Sequence, residues 1–474
     1  MSGMLRTVVL LAVACVALSG LAVARAAPAP PATLRIAVGV DMDTLEPASQ
    51  TTTTVANVID YFFEPLVDTD FKTGKIIPKL ATAWRISPDG LTYTFTLRRG
   101  VKFHDGTDFN AQAVKYTIDR LLDPKTTVPI RFIVAAIKQV EVVDPNTVRF
   151  ILSKPDPVLL ANITTTQVAV ISPTTGQRLG QDRLRLNPTG AGTGPYLFKE
   201  WVRGDRVVVE RNPNYWGKKP TFERVEFRIV PDAGTRLTQL LAGDVHMAML
   251  PPAPEVKKLR NHASVKVVEA LTDRVIFIGM NNNWGPLKDV KVRQAMNYAI
   301  NKKAILASIL FDLGVVNESP CNPAMFGYHA VQAGGWSFDS GKAKQLLAEA
   351  GYKDGFQVEL ISPTGRYIQD FQFAQAVAAQ LSNVKVRASV RTMDWPTYVR
   401  TLVTPPDRTA LQMFVLGWAW PSLDCDGVLY GQFHSSSAPP RGLAPAFYKN
   451  ERVDTLLEQA RSTVDPERRK TIYK

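Results

Sequence analysis

Residues 91–97, Leu-Thr-Tyr-Thr-Phe-Thr-Leu, alternate apolar and polar side chains with a period of two, the pattern of a strand with one buried face. Pro88-Asp89-Gly90 supplies the turn before it. Residues 34–38 alternate in the same way and predict a first strand. The period lengthens over residues 111–122, where Val114, Ile118, Leu121 and Leu122 share one helical face; Asn110 is a good N-cap and Pro124 stops the helix. A Thr run at 51–54 leads into a short helix at 55–63. Residues 138–152 are strand-rich around the turn Asp144-Pro145-Asn146, and 196–202 with 206–211 read as a hairpin turning at Gly204-Asp205. Residues 222–230 predict a further strand, and 235–242 a short helix ended by Gly243. Beyond residue 271, strands at 275–280, 356–361, 384–390 and 411–416 alternate with helices opening at Asp289 and spanning 343–350 and 368–381. That alternation predicts an α/β lobe, whereas the antiparallel stretch at 73–186 reads as a separate module.

The N-terminal pattern is of another kind. Residues 7–23 form a nearly unbroken apolar run behind a single basic residue, and Ala24-Arg25-Ala26 fits a small-x-small cleavage site. Together they predict a cleaved secretory signal over residues 1–26 and a periplasmic mature protein. Cys15 lies inside the run and does not fit a lipidation site. No later window is apolar and long enough to span a bilayer. Arg6 and Arg25 leave with the signal, lowering the formal net charge from +13 to about +11. The basic residues are scattered, with no polybasic stripe, so nucleic acid is not expected as a partner. Of the three cysteines, Cys321 and Cys425 remain. An exported chain permits a disulfide between them, and two buried thiols fit the sequence equally well.

Little in the chain points to covalent chemistry. His104, His246, His262, His329 and His434 are dispersed, with no zinc-ligand spacing. No Gly-x-Ser-x-Gly elbow occurs. Gly190-Ala191-Gly192-Thr193-Gly194 lacks the Lys-Ser/Thr ending of a phosphate loop and runs into a strand, so it reads as a tight backbone crossing. The most unusual segment is 417–427, where Trp418 and Trp420 stand beside Asp424 and Asp426 among Gly and Pro. Paired aromatics with carboxylates can hold a ligand with a cationic group. The same residues fit aromatic core with Asp-capped turns, and the loop alone does not choose between the two.

Several blocks together resemble the family 5 extracellular solute-binding proteins of bacterial ABC importers, which include oligopeptide-, dipeptide-, nickel- and glutathione-binding proteins. They are Phe63-Glu64-Pro65-Leu66-Val67, Leu80-Ala81-Thr82-Ala83-Trp84, and Ser87-Pro88-Asp89-Gly90-Leu91-Thr92-Tyr93-Thr94-Phe95 running on to Val101-Lys102-Phe103-His104-Asp105-Gly106. Gly192-Thr193-Gly194-Pro195-Tyr196, Arg211-Asn212-Pro213-Asn214-Tyr215-Trp216, residues 289–300 and residues 343–352 extend the likeness over about 33–474.

The resemblance implies a periplasmic-binding-protein-like α/β fold of two lobes with a hinge, an extra inserted domain, and a ligand cleft between the lobes. It places lobe I at 27–62 and 187–272, the inserted domain II at 63–186 and lobe III at 273–474. Family members usually continue further and return to lobe I, so that return is expected to be missing here. His104 and Asp105 become structural turn residues. The implied ligand contacts are Thr51 and Thr53 in the Thr loop, Asn282 after the strand at 275–280, and Gly417, Trp418, Ala419 and Trp420 lining the cleft. Peptide binders carry an Asp two residues beyond Ala419 for the ligand's ammonium; here that position is Pro421, without charge or amide hydrogen. Asp424 and Asp426 are the carboxylates placed to substitute, and the stretch 424–435 looks more like the glutathione-binding branch.

The implied function is capture of a small peptide-like solute and its delivery to a membrane permease and ATPase, by a monomer with no cofactor and no catalysis. Three other readings were weighed against it: a binding protein for a metal chelate or haem, a non-binding truncated paralogue, and an exported hydrolase. The hydrolase needs a nucleophile or metal that the sequence does not assemble.

Overall fold

The computed structural model describes residues 32–70, 72–330, 335–420 and 422–474. The expected signal peptide and cleavage site, Cys15 and Pro421 lie outside the described residues. The described residues form four sheets, three large ones and the two-stranded pair Val67–Asp70 with Lys75–Pro78. The first runs Met247–Ala248, Thr33–Val38, Arg224–Ile229, Arg206–Arg211, Tyr196–Val202. Thr33–Val38 is parallel to both neighbours, with Ile36 opposite Phe227, and the rest is antiparallel. The second is wholly antiparallel: Ala81–Ile86, Thr92–Leu97, Thr147–Leu152, Ile137–Asp144. The third runs Val275–Met280, Met413–Trp418, Phe356–Pro363, Val386–Met393, parallel except at the Val275–Met280 edge. The result is the mixed α/β architecture expected from the pattern.

Where one face of an element is buried, the pattern located it. Tyr93, Phe95 and Leu97 point into the second sheet's core, and helix Ala111–Leu122 buries Val114, Ile118 and Leu121. The Asn110 side chain accepts from the Ala113 amide at 3.1 Å. The strand Ala81–Ile86 escaped notice because it lies at a sheet edge and is mostly exposed, so no alternation marks it.

The quoted sequence blocks are scaffold. Glu64 is buried and accepts from Thr193 Oγ1 at 2.9 Å, Tyr215 Oη at 2.7 Å and Trp216 Nε1 at 2.9 Å, tying three of those blocks together. Gly192 crosses so close that a Cβ there would fall 1.7 Å from the Phe62 carbonyl oxygen. Only a residue without a side chain permits that crossing. Asp105 accepts from the hydroxyls of Thr107, Ser172 and Thr175, the role of a turn residue.

The packing divides the 273–474 unit. The third sheet's core takes Val358, Leu360, Val377, Tyr398 and Phe414. Cys321, Met325, Trp420, Cys425 and Val428 instead join Phe95, Val114 and Phe150 in the core of the inserted domain. Sequence order groups residues 321–328 and 420–474 with lobe III, but their apolar side chains find the larger complementary surface on domain II. Cys321 and Cys425 are joined there, 104 positions apart in sequence and with Cα atoms 5.8 Å apart.

Two C-terminal helices, Glu451–Ser462 and Pro466–Tyr473, form a strap over this seam. Arg461 donates to the Phe132 carbonyl at 2.6 Å, lies 3.2 Å from the Asp426 carboxylate, and stacks 4.3 Å from the Tyr430 ring centre. Arg469 pairs with Asp424 and covers Phe326. Glu458 meets Lys154 at 2.7 Å. Asp156 is a third buried carboxylate, within electrostatic reach of Arg461. Burial pushes its pKa up to about 6; Asp426 adds to the rise, and Arg461 and Lys154 oppose it.

A carboxylate whose folded pKa lies above its unfolded value stabilises the fold below the unfolded pKa, and that contribution is lost as pH rises through the folded pKa. The Asp156→Asn variant should therefore match the wild type near pH 4 and be more stable at pH 7.5, by up to about 3 kcal/mol. Urea unfolding across that range checks this. Equal or lower stability of the variant at pH 7.5 contradicts the assignment.

Candidate functional site

Thr33–Val38 and Arg224–Ile229 of lobe I end at the same seam as Phe356–Pro363 and Met413–Trp418 of lobe III. Carboxyl ends of parallel strands are where open α/β sheets place ligands. On the lobe I side the Thr loop is held from below. Buried Glu46 accepts from the amides of Ala48 and Ser49 and pairs with Arg120 at 2.7 Å, and the Gln50 amide closes on the Thr52 carbonyl. Thr51 then donates to Asp43 Oδ2 at 3.2 Å.

The next two threonines reach across to lobe III. Trp395 Nε1 donates to Thr52 Oγ1 at 2.8 Å, and Arg274 Nη2 donates to Thr53 Oγ1 at 2.5 Å. Arg274 also donates from Nη1 to the Gly417 carbonyl at 3.1 Å, while the Gly417 amide donates to Tyr367 Oη at 2.7 Å. A Cβ at Gly417 would meet Ile276, Tyr367 and Arg274 within 3.0 Å, so the position requires glycine.

Arg366 is the dominant charge of this seam. It is 7% exposed, and its guanidinium lies 5.0 Å from the ring centres of both Tyr367 and Trp395. Burial pushes its pKa down to about 10, and the neighbouring Arg274 adds to the fall. Asp370 is turned away from this work: its carboxylate caps the amides of Arg366, Tyr367 and Phe371. Asp43 lies within electrostatic reach of Arg366 and is itself held up in pKa by burial. Arg366 Nε and Asp43 Oδ1 have no hydrogen-bond partner among the described residues. A buried cation and a half-buried carboxylate each thus retain capacity for a ligand of opposite charge.

Of the residues singled out in the sequence, Thr51, Thr53 and Gly417 meet at this seam. Trp418 is partly exposed, donates to the Gly427 carbonyl at 3.1 Å and stacks on Trp420 with centroids 6.1 Å apart. Ala419 is half-buried. Trp420 turns the other way: it is 4% exposed, stacks on Phe132 at 5.6 Å and donates to Asn162 Oδ1 at 3.3 Å. It is core of the domain II seam. Asn282 spends its amide on the carbonyls of Met280 and Ala446 at 3.0 and 2.9 Å, bracing a loop.

Asp424 and Asp426 do not stand in for a ligand-ammonium anchor. Both are buried and matched to Arg469 and Arg461 of the strap, which lie 45 and 35 residues further on. Asp43, Arg274, Arg366, Tyr367 and Trp395 were missed. The one signal available was position: Gly365-Arg366-Tyr367 follows directly on an apolar strand, at its carboxyl end.

Comparison with known proteins agrees with this architecture. Residues 75–440 match the middle region of the bacterial extracellular solute-binding proteins, family 5. The chain is 33% identical over 443 residues to the glutathione-binding protein GsiB of Salmonella choleraesuis (strain SC-B67), covering 93% of this chain and 85% of that one. It superposes on the periplasmic binding protein DppA of Helicobacter pylori, solved with the peptide STSA, with a TM-score of 0.85 and 28% identity, covering 93% and 88% of the two chains. The dipeptide-binding protein of Pseudoalteromonas sp. SM9913, solved with Met-Leu, gives 0.86 and 26%, covering 93% and 90%. With the family match spanning most of its length and a relative 33% identical over 93% of it, the chain belongs to the bacterial extracellular solute-binding proteins of family 5.

Proposed function

We propose that the protein captures a small peptide-like solute carrying a free carboxylate and a free ammonium, outside the cytoplasm, and delivers it as a monomer to the permease and ATPase of an ABC importer. The observation that carries the reading is buried Arg366, with half-buried Arg274 and Asp43 both within electrostatic reach of it. A buried guanidinium beside a second one calls for an anion, and a carboxylate accepts two donors at once. Asp43, with one oxygen unspent, suits the ammonium. Trp395, Tyr367 and the exposed face of Trp418 offer apolar wall around these polar ends.

The named relatives support the same class, since glutathione, Met-Leu and STSA all carry both charges. Asp43 lies in lobe I, far in sequence from the loop where peptide binders keep their anchor. The Pro421 position therefore does not exclude a peptide. No bond in the solute needs to break, and the family consists of binding proteins.

A thermal-shift series with glutathione, Met-Leu and Ser-Thr-Ser-Ala tests the reading. A solute at a hundred times its dissociation constant adds about 2.7 kcal/mol, a shift of a few degrees for a chain this size. The C-terminal amides of the same peptides lose the charge-assisted bonds and should bind about ten- to a hundredfold more weakly. Arg366→Met should abolish the response to the free acids. Equal shifts with acids and amides, or an unchanged response in Arg366→Met, would overturn the carboxylate assignment.

A further inference from the structure

Where the two lobes face each other, the seam is also closed by backbone against backbone. Gly39 stands just past the carboxyl end of Thr33–Val38, and Gly365 just past that of Phe356–Pro363. A Cβ built on Gly39 would lie 2.0 Å from the Gly365 carbonyl oxygen. One built on Gly365 would lie 2.6 Å from the Gly39 carbonyl oxygen and 2.5 Å from that of Pro231. Real Cβ atoms essentially never come within 3.0 Å of another heavy atom. The opposing atoms are main-chain carbonyls, so no rotamer change relieves the contact.

The lobe I wall behind this contact is stiff. Arg236 is 2% exposed and donates to four carbonyls, those of Val230, Pro231, Met249 and Leu250, at 2.6 to 2.9 Å. It clamps the turn after Arg224–Ile229 to the turn after Met247–Ala248, and Pro231, in that clamp, is one of the two residues Gly365 approaches. On the lobe III side Gly365 has φ +75°, a conformation open to glycine and tolerated by asparagine. The seam's two side-chain bridges, Trp395 to Thr52 and Arg274 to Thr53, depend on the same lobe separation.

We infer that Gly39 and Gly365 form a closing stop: their apposition sets how far the lobes approach and thereby places Arg274 and Arg366 against the Thr51–Thr53 loop. The inference rests on the solute-capture reading only in that the lobes are taken to open and close. One methyl group between the two backbones props the seam open by about 1 Å, since ordinary contact begins near 3.4 Å. Stretched by that amount, the 2.8 Å bond from Trp395 to Thr52 falls outside bonding range and the 2.5 Å bond from Arg274 to Thr53 is brought to its limit. The glycines are positioning residues, and they also limit the size of solute the closed seam accepts.

The test needs no solute. Thr52 and Trp395 are both replaced by Cys, and the rate at which a short bis-maleimide joins them is followed by gel mobility, with single-cysteine variants as controls. Gly365→Asn is then added. Asn accepts the positive φ, and the three atoms nearest its Cβ all belong to lobe I, so lobe III itself is expected to keep its fold; an unchanged melting temperature checks this. The crosslinking rate should fall at least tenfold. Gly39→Ala is the independent second variant and should act in the same direction. An equal rate with and without the substitutions overturns the stop, and so does a parent pair that never crosslinks, since the lobes then never reach the apposition. If glutathione and the peptides all fail to bind, the solute reading falls while the crosslinking result still decides this one.

Discussion

A guanidinium held out of water, Arg366, with the half-buried Arg274 nearby, is the constraint on which the inter-lobe seam depends. Arg366 has lost its hydration and feels the like charge of Arg274, which is why its pKa falls so far from its ordinary value. The protein offsets part of this by laying the Arg366 guanidinium on Tyr367 and Trp395 and by spending Arg274 on Thr53 and Gly417. Asp43 offsets another part at a distance. The remainder is left for a ligand. A site with unspent positive charge binds the anion that completes it and rejects the analogue that cannot.

The second seam, under the C-terminal strap, shows the opposite treatment of charge. There Asp424 and Asp426 each have a guanidinium of their own, Arg461 and Arg469 are covered by aromatic rings, and a disulfide crosses the same core. Both seams hold buried polar atoms without a hydrogen-bond partner among the described residues, including atoms of Asp426, Arg461 and Arg469; what sets the strap seam apart is that its carboxylates and guanidiniums are in ion-pair contact. This contrast separates the two functions of the stretch from Gly417 to Phe433. Its first residues face the lobe I threonines, and from Trp420 onward it belongs to the inserted domain.

Elements with one buried face were legible in the sequence, because burial writes a period of two or 3.6 into the chain: Thr92–Leu97 and Ala111–Leu122 are examples. Ala81–Ile86 was not, because an exposed edge strand leaves no alternation. The division of residues 273–474 between two cores was also invisible, since it is decided by contacts between Cys425 or Val428 and residues some three hundred positions earlier. In the site, the Thr loop and Gly417 were legible through the family blocks around them. Asp424 and Asp426 were misread because their partners, Arg469 and Arg461, lie in a later helix pair that the local sequence does not announce. Arg366 and Trp395 are isolated residues of common types; only the fold brings them to Thr52 and Asp43.

The most direct measurement is a crystal structure of the protein with glutathione or Met-Leu bound. The account predicts a solute carboxylate within hydrogen-bonding distance of Arg366 and Arg274, and the ammonium on Asp43. A solute whose carboxylate lies elsewhere, with both guanidiniums contacting only water, would contradict it.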